Sequence, residues 1–233
     1  MTSPVNYQLN ESVSTITLDD GKVNVLGPPM QAAINGALDR AEKDDAKAVV
    51  LAGNQRVFSG GFDLSVFQSG DADAALGMLS GGFELAVRCL TFPAPVIMAA
   101  TGPAIAMGSF LLLSGDLRIG APKSRCQAIE VAIGMTIPIA AIELMRMRLT
   151  PAAFQRGVSL ASTFIGDEAI AAGWLDEIVD ADKVLPRAQE VAAEAAATLH
   201  AGAHRASKLK ARESALTAIR AGIDGLPTEF TAI

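Results

Sequence analysis

Two glycine-containing segments and one isolated glutamate are the residues of this chain best suited to chemistry. The first segment, Arg56-Val57-Phe58-Ser59-Gly60-Gly61-Phe62-Asp63-Leu64, follows the apolar stretch 48–52. The second, Thr101-Gly102-Pro103-Ala104-Ile105-Ala106-Met107-Gly108-Ser109-Phe110, follows the apolar stretch 95–100. Each pattern predicts a strand, a tight turn and a helix start. Such a turn exposes backbone N–H groups that no helical carbonyl accepts, and the helix dipole adds partial positive charge there. Two turns of this kind converging on one point form an oxyanion hole, which stabilises charge developing on a carbonyl oxygen. The glutamate is Glu130, in the apolar run Ile129-Glu130-Val131-Ala132-Ile133-Gly134. Burial among such neighbours raises a carboxyl pKa, which suits a general base working near neutral pH. The same features also serve plain architecture, since glycine turns join elements and a lone glutamate can sit in a buried ion pair.

The elements that must position these groups follow from hydrophobic period and turn chemistry. Residues 13–18 alternate like a half-buried strand and Asp19-Asp20-Gly21 gives a turn. Helical spacing over 28–44 puts Met30, Ile34, Ala37, Leu38 and Ala41 on one face. Residues 68–74 are polar and loop-like, and 76–90 predict a helix weakened by Gly77, Gly81 and Gly82. Those glycines fit either mobility over a pocket or close helix approach. A buried helix over 109–113 and a strand over 117–120 follow. Helices are expected at 138–148, 151–160 and 167–172, a last strand at 175–179, and a helical tail at 182–199 and 204–221. Short strands alternating with helices imply an α/β core.

Composition narrows the function classes. The chain has 233 residues, 50% of them hydrophobic, enough for one large domain with a helical appendage. A net charge of −6 and a pI near 5.0 argue against nucleic acid as the main partner. Cys89 and Cys126 sit in apolar surroundings and are expected to be buried thiols of a reducing compartment. The segment 1–11 has neither the basic start nor the apolar core of a leader. The uncharged stretch 89–115 is broken by Pro93, Pro95, Gly102, Pro103 and Gly108, which fits a buried strand, turn and helix better than a membrane span. A soluble, cytoplasmic protein is the expectation. His200 and His204 lie four apart but have no acidic or cysteine companion, so a surface helix is expected there and no metal site.

The order and flanks of the two turns resemble the crotonase (enoyl-CoA hydratase/isomerase) superfamily over nearly the whole chain. Phe58 to Leu64 match the family's F-S-x-G-x-D-L, and Thr101 to Asp116 follow N-G-x-x-x-G-G-G-x-x-L-x-x-x-x-D more loosely. Val23-Asn24-Val25-Leu26 looks like the first coenzyme-A-contacting segment, and 166–179 looks like the late helix-to-strand signature. The resemblance implies a spiral of ββα units, although no repeat is visible in the sequence itself. It further implies a core over 1–180 and a C-terminal helical region over 181–233 that packs in a trimer or hexamer. The ligand it implies is an acyl-CoA thioester, with coenzyme A entering as part of the substrate and no other cofactor.

In the matched positions the oxyanion donors are the backbone N–H groups of Phe62 and Met107. The family's glycine triplet is Ala106-Met107-Gly108 here, and a residue other than glycine disfavours positive φ. Hydration in this family uses two glutamates. The position of the first, three residues beyond Met107, is Phe110, whereas the P-E-x-x-x-G pattern of the second is matched by Glu130. A single glutamate opposite an oxyanion hole is the equipment for an allylic proton shift, so a Δ3–Δ2 enoyl-CoA isomerase is expected. Two alternatives stay open: a hydratase using Glu130 alone or helped by Glu84, and a non-catalytic acyl-CoA-binding protein. Further contacts to the ligand are expected from Lys22, Val23, Asn24, Arg56, Gly60, Gly61, Asp63, Leu64, Gly108 and Phe110. Arg56 at the first turn and Lys208, near Lys210 and Arg212, are the candidates for the ligand's phosphates. Asp63 is expected to order its loop, Asp116 to fix the start of the strand that follows it, and Glu143 to be a helix-face charge.

Overall fold

The computed structural model describes residues 3–231 of the chain. It begins with a hairpin in which β1 (Val5–Asn10) runs antiparallel to β2 (Val13–Leu18). Here β1 is an addition to the expected elements. Helix α1 (Pro28–Lys43) starts on two prolines and buries the expected face of Met30, Ile34, Ala37, Leu38 and Ala41. Strand β3 (Ala48–Ala52) pairs in parallel with β2 and leads to the first glycine turn. Two helices follow, α2 (Leu64–Gln68) and α3 (Ala72–Thr91). The latter starts a turn earlier than its apolar pattern suggests, because the Asp71 carboxylate accepts the Ala74 N–H and caps it.

The chain then repeats one theme. Strand β4 (Val96–Ala100) enters the main sheet, β5 (Ala104–Ile105) enters a second sheet, and α4 (Met107–Leu113) follows. Strand β6 (Leu117–Gly120) returns to the main sheet and β7 (Arg125–Gln127) to the second. Beyond a 3-10 helix at Glu130–Ile133 come α5 (Ile139–Arg148) and α6 (Pro151–Leu160). Next are β8 (Phe164–Ile165), α7 (Asp167–Ala172) and β9 (Glu177–Ile178). The chain continues through α8 (Val184–Thr198) and α9 (Ala201–Thr231). Main-sheet order is β1-β2-β3-β4-β6-β9, parallel from β2 onward, and the second sheet is β5-β7-β8. One strand per sheet followed by a helix is the ββα spiral.

Both faces of β3 and β4 are buried, with alternate residues serving two cores. Val49, Leu51, Val96, Met98 and Ala100 face the larger core, which also takes Phe58, Phe83, Phe110 and Trp174. Ala48, Val50, Ala52, Ile97 and Ala99 face the smaller one, closed by Val184, Ala188 and Ala192 of α8. The apolar side chains of the tail are thus largely used within their own chain: Ile219, Ile223 and Leu226 of α9 join the larger core. Helix α9 also runs well past 221, through Pro227.

Close approach of α9 to α5 depends on Gly222, where an added Cβ would lie 2.5 Å from the Ala140 backbone nitrogen. Backbone cannot retreat as a side-chain tip can. Gly222→Ala is expected to cost about 1–3 kcal/mol, as overpacking does, read as a lower midpoint in urea at unchanged slope.

Candidate active site

Backbone hydrogen bonds stitch the two glycine turns together. The N–H groups of Phe58 and Ser59 donate to the Pro103 carbonyl at 2.9 and 3.2 Å, and the Ile105 N–H donates to the Ser59 carbonyl at 3.0 Å. The approach is close enough to demand glycine, since a Cβ at Gly108 would stand 2.5 Å from the Ser59 oxygen. Gly61 has φ +98°, and a Cβ there would meet Ala106 Cβ at 2.9 Å and Met107 N at 3.5 Å. The two turns therefore meet where Phe62 follows Gly61 and Met107 begins α4. Among the described residues neither the Phe62 N–H nor the Met107 N–H has an acceptor. Two unpaired donors at such a junction are what an oxyanion hole requires. The cost of this geometry is visible at Ala106, which holds φ 50° and ψ −129°, a conformation suited to glycine.

These turns border a cavity of about 660 Å³. Its wall is mostly apolar and partly aromatic: Phe62 packs edge-on to Phe67 and Phe83, and Phe83 stacks on Phe110. Gly82 makes room for this arrangement, because a Cβ there would lie 2.5 Å from the Phe62 ring. Of the two readings of the α3 glycines, close packing is the one seen at this position. Glu130 opens the 3-10 helix and lines the same cavity, with only 7% of its surface exposed. Its Oε2 is buried and has no hydrogen-bond partner among the described residues. Desolvation pushes its pKa up to about 7, and no cation offsets it. The cavity thus has a poised carboxyl and Phe62 on its wall, with the free Met107 N–H at the adjoining junction although Met107 itself is buried off the wall. The arrangement is suited to moving a proton next to a carbonyl.

The profile of a family described as enoyl-CoA hydratase/isomerase matches residues 8–226. The chain belongs to the enoyl-CoA hydratase/isomerase family. Among solved crotonase structures, an apo enoyl-CoA isomerase of Mycobacterium tuberculosis is 55% identical, with a TM-score of 0.95 over 98% of this chain and 100% of that one. A putatively named enoyl-CoA hydratase of Thermus thermophilus is 32% identical over 79% of this chain and 74% of its own length. The peroxisomal fatty acid beta-oxidation multifunctional protein of Arabidopsis thaliana is 27% identical over 76% of this chain, which spans 25% of that protein.

The crotonase cavity gathers seven of the expected residues: Val23, Gly60, Phe62, Asp63, Leu64, Phe110 and Glu130. Asp63 caps α2 by accepting the Ser65 N–H at 3.0 Å, the loop-ordering role expected of it. Lys22 and Arg56 are exposed and are not part of the cavity wall, and an Arg56 guanidinium nitrogen donates to the Gly21 carbonyl at 3.3 Å. Four expectations need correction. Asn24 is fully buried, its amide donating to the Leu18, Val57 and Phe58 carbonyls, while its own N–H and C=O are held by Asp20 and Ser59. It builds the turn, with its N–H used and its carbonyl already accepting one hydrogen bond. Gly61 and Gly108 likewise serve the junction between the turns and do not line the cavity. Lys208 is buried against Asp116 at 2.7 Å, with Arg212 on the other carboxylate oxygen at 2.7 Å, so it is a structural cation and not a phosphate contact. Asp116 also accepts the Val96 N–H at 2.8 Å and so holds the start of β4, the preceding strand, where the strand that follows it was expected. Glu84 faces Arg220 at the surface, away from the cavity, and Glu143 pairs with Arg146 on its helix.

Sequence reasoning missed Glu229, which lines the cavity from the last turns of α9. Pro227 signals a helix end and hid the continuation. His200 and His204 are at the start of α9, where His200 Nδ1 accepts the Ala203 N–H at 3.3 Å. Both cysteines are buried free thiols. Among the described residues no helix is long and apolar enough to cross a membrane.

Ala106→Gly is expected to raise stability by about 1 kcal/mol by relieving the positive φ, measured as a higher urea midpoint. Glu130 has a raised pKa in the folded chain, so its contribution is fully present below pH 4.5 and is lost as pH rises through about 7. Glu130→Gln should therefore gain on wild type across that window, by roughly 2–3 kcal/mol above it. Unfolding curves collected from pH 4 to pH 8 check both the sign and the window.

Proposed function

We propose that the protein is a Δ3–Δ2 enoyl-CoA isomerase. The observation that carries this reading is that the buried, unpartnered Glu130 shares a cavity wall with Phe62, beside the free Met107 N–H, while Phe110 fills the position of the first hydratase glutamate. In this reaction the Glu130 carboxylate removes a proton from C2 of a 3-enoyl thioester. The electrons move onto the thioester oxygen, and the enolate is held by the N–H groups of Phe62 and Met107. The same carboxylic acid returns the proton at C4, the double bond settles between C2 and C3, and Glu130 is an anion again. One group suffices because one proton is relayed. Phe110, stacked on Phe83, keeps that side of the cavity free of a water-holding acid.

Coenzyme A enters as part of the substrate, with exposed Lys22 and Arg56 placed for its phosphates, and no further cofactor takes part. Assembly into trimers or hexamers and a cytoplasmic location belong to the same proposal. A second reading, addition of water to a 2-enoyl thioester, is supported by names among the relatives. The M. tuberculosis protein described as an isomerase in one structure is described as a probable hydratase in another.

The test is conversion of 3-hexenoyl-CoA to the conjugated 2-enoyl thioester. Wild type should convert it, and Glu130→Gln should lose about a hundredfold or more in rate. The wild-type rate should rise with pH through about 7 and level off above it, as the base ionises. Faster hydration of 2-hexenoyl-CoA than isomerisation would establish the hydratase reading. Tight acyl-CoA binding without either conversion would leave a binding protein.

A further inference from the structure

The direction of the first oxyanion donor is set from behind. A trans peptide unit is planar, so the Gly61 C=O and the Phe62 N–H point opposite ways. The Gly61 carbonyl accepts the Leu26 N–H at 2.7 Å, which turns the Phe62 N–H away from the 23–26 segment. Leu26 is held in its turn. The Gln31 side-chain amide donates to the Leu26 carbonyl at 2.9 Å and to the Met78 carbonyl of α3 at 2.8 Å. Both amide N–H groups of Gln31 are thereby used. Gln31 lies on α1 with 6% of its surface exposed, a polar side chain set among core residues. Space for it comes from α3, where an added Cβ at Gly81 would stand 2.4 Å from Gln31 Oε1. The next residue, Gly82, is the one that leaves room for the Phe62 ring.

We infer that Gln31 is a positioning residue for the oxyanion hole: through Leu26 it fixes the Gly61–Phe62 peptide plane and with it the direction of the Phe62 N–H. This rests on the reading that the cavity receives an acyl thioester at that donor. A donor aimed before the substrate arrives needs no reorganisation during the reaction, and it acts only where the developing oxyanion will stand. One amide ties the 23–26 segment to α3, so the Phe62 backbone and the helix that seats the Phe62 ring keep one relative placement. An apolar side chain at position 31 would leave the Leu26 carbonyl without this donor. The 23–26 segment could then shift, carrying the Gly61 carbonyl and tilting the Phe62 N–H off its target.

The experiment is isotope-edited infrared spectroscopy of hexanoyl-CoA, carrying a heavy-carbon label at its carbonyl, bound to the full chain. This saturated thioester neither isomerises nor adds water. In wild type the bound carbonyl band should lie below that of the free thioester, because N–H donors weaken the C=O bond. In Gln31→Met, a swap of similar volume, the band should return part of the way to the free position. In Gln31→Glu a buried acid, protonated between two carbonyls, keeps one donor, and its band should fall between those two. With 3-hexenoyl-CoA, Gln31→Met should lower kcat about tenfold with little change in KM. A wild-type band position in the variants, or a raised KM at full kcat, overturns the inference and leaves the acyl-CoA reading in place. A wild-type band at the free position, or no binding by wild type, overturns both. Absence of isomerisation by wild type overturns the isomerase reading alone, and the band still decides on Gln31. Should Gln31→Met not fold, the band in Gln31→Glu decides.

Discussion

Everything at the site depends on the contact between two backbone turns. The Ser59 carbonyl accepts from Ile105, the Pro103 carbonyl accepts from Phe58 and Ser59, and Gly108 lies against Ser59 with no space for a side chain. Because the contact is made by main-chain atoms, its geometry is insensitive to which side chains flank it. Phe62 and Met107 can thus be large residues and still present their N–H groups together. Their side chains are left to shape the apolar surroundings. The constraint surfaces where glycine is missing: Ala106 is held in a conformation it disfavours because the hydrogen-bonded neighbours on both sides fix it.

Charge burial is handled in two opposite ways. Asp116 is compensated by Lys208, Arg212 and the Val96 N–H, so its negative charge ties a strand to the last helix. Glu130 is left without a cation and with one oxygen bare. The first arrangement anchors structure, since removing one partner would strand the others. The second leaves a proton free to be gained and lost near neutral pH, the property a general base needs.

The legible parts of this protein are those whose cause is local. The parallel strands, the α1 face and the helices at Pro151–Leu160 and Asp167–Ala172 follow from period and turn residues. Glu130 was visible because a glutamate in an apolar run has few ways to be accommodated. Lys208 was not, because its partner Asp116 is 92 residues away and a lysine on a basic helix looks solvated. Asn24 lies at the right place in the chain, but its three amide hydrogen bonds come from segments that only the fold assembles. Glu229 was hidden by Pro227, which an α9 already docked on α5 accommodates. In each case the missing information was the identity of a distant neighbour.

The cavity's dependence on α9 has a thermal consequence. The main sheet is held by parallel pairing and two cores, whereas the end of α9 closes the cavity through Leu226 and Glu229. Local openings of a fold follow its packing units, and α9 packs chiefly on α3 and α5, away from the strands of the main sheet. Heating can therefore undock these last turns while the sheet stays intact, opening the cavity to water. Warm solutions of this protein would hold molecules that are folded by every spectroscopic measure of the sheet and yet have no enclosed site.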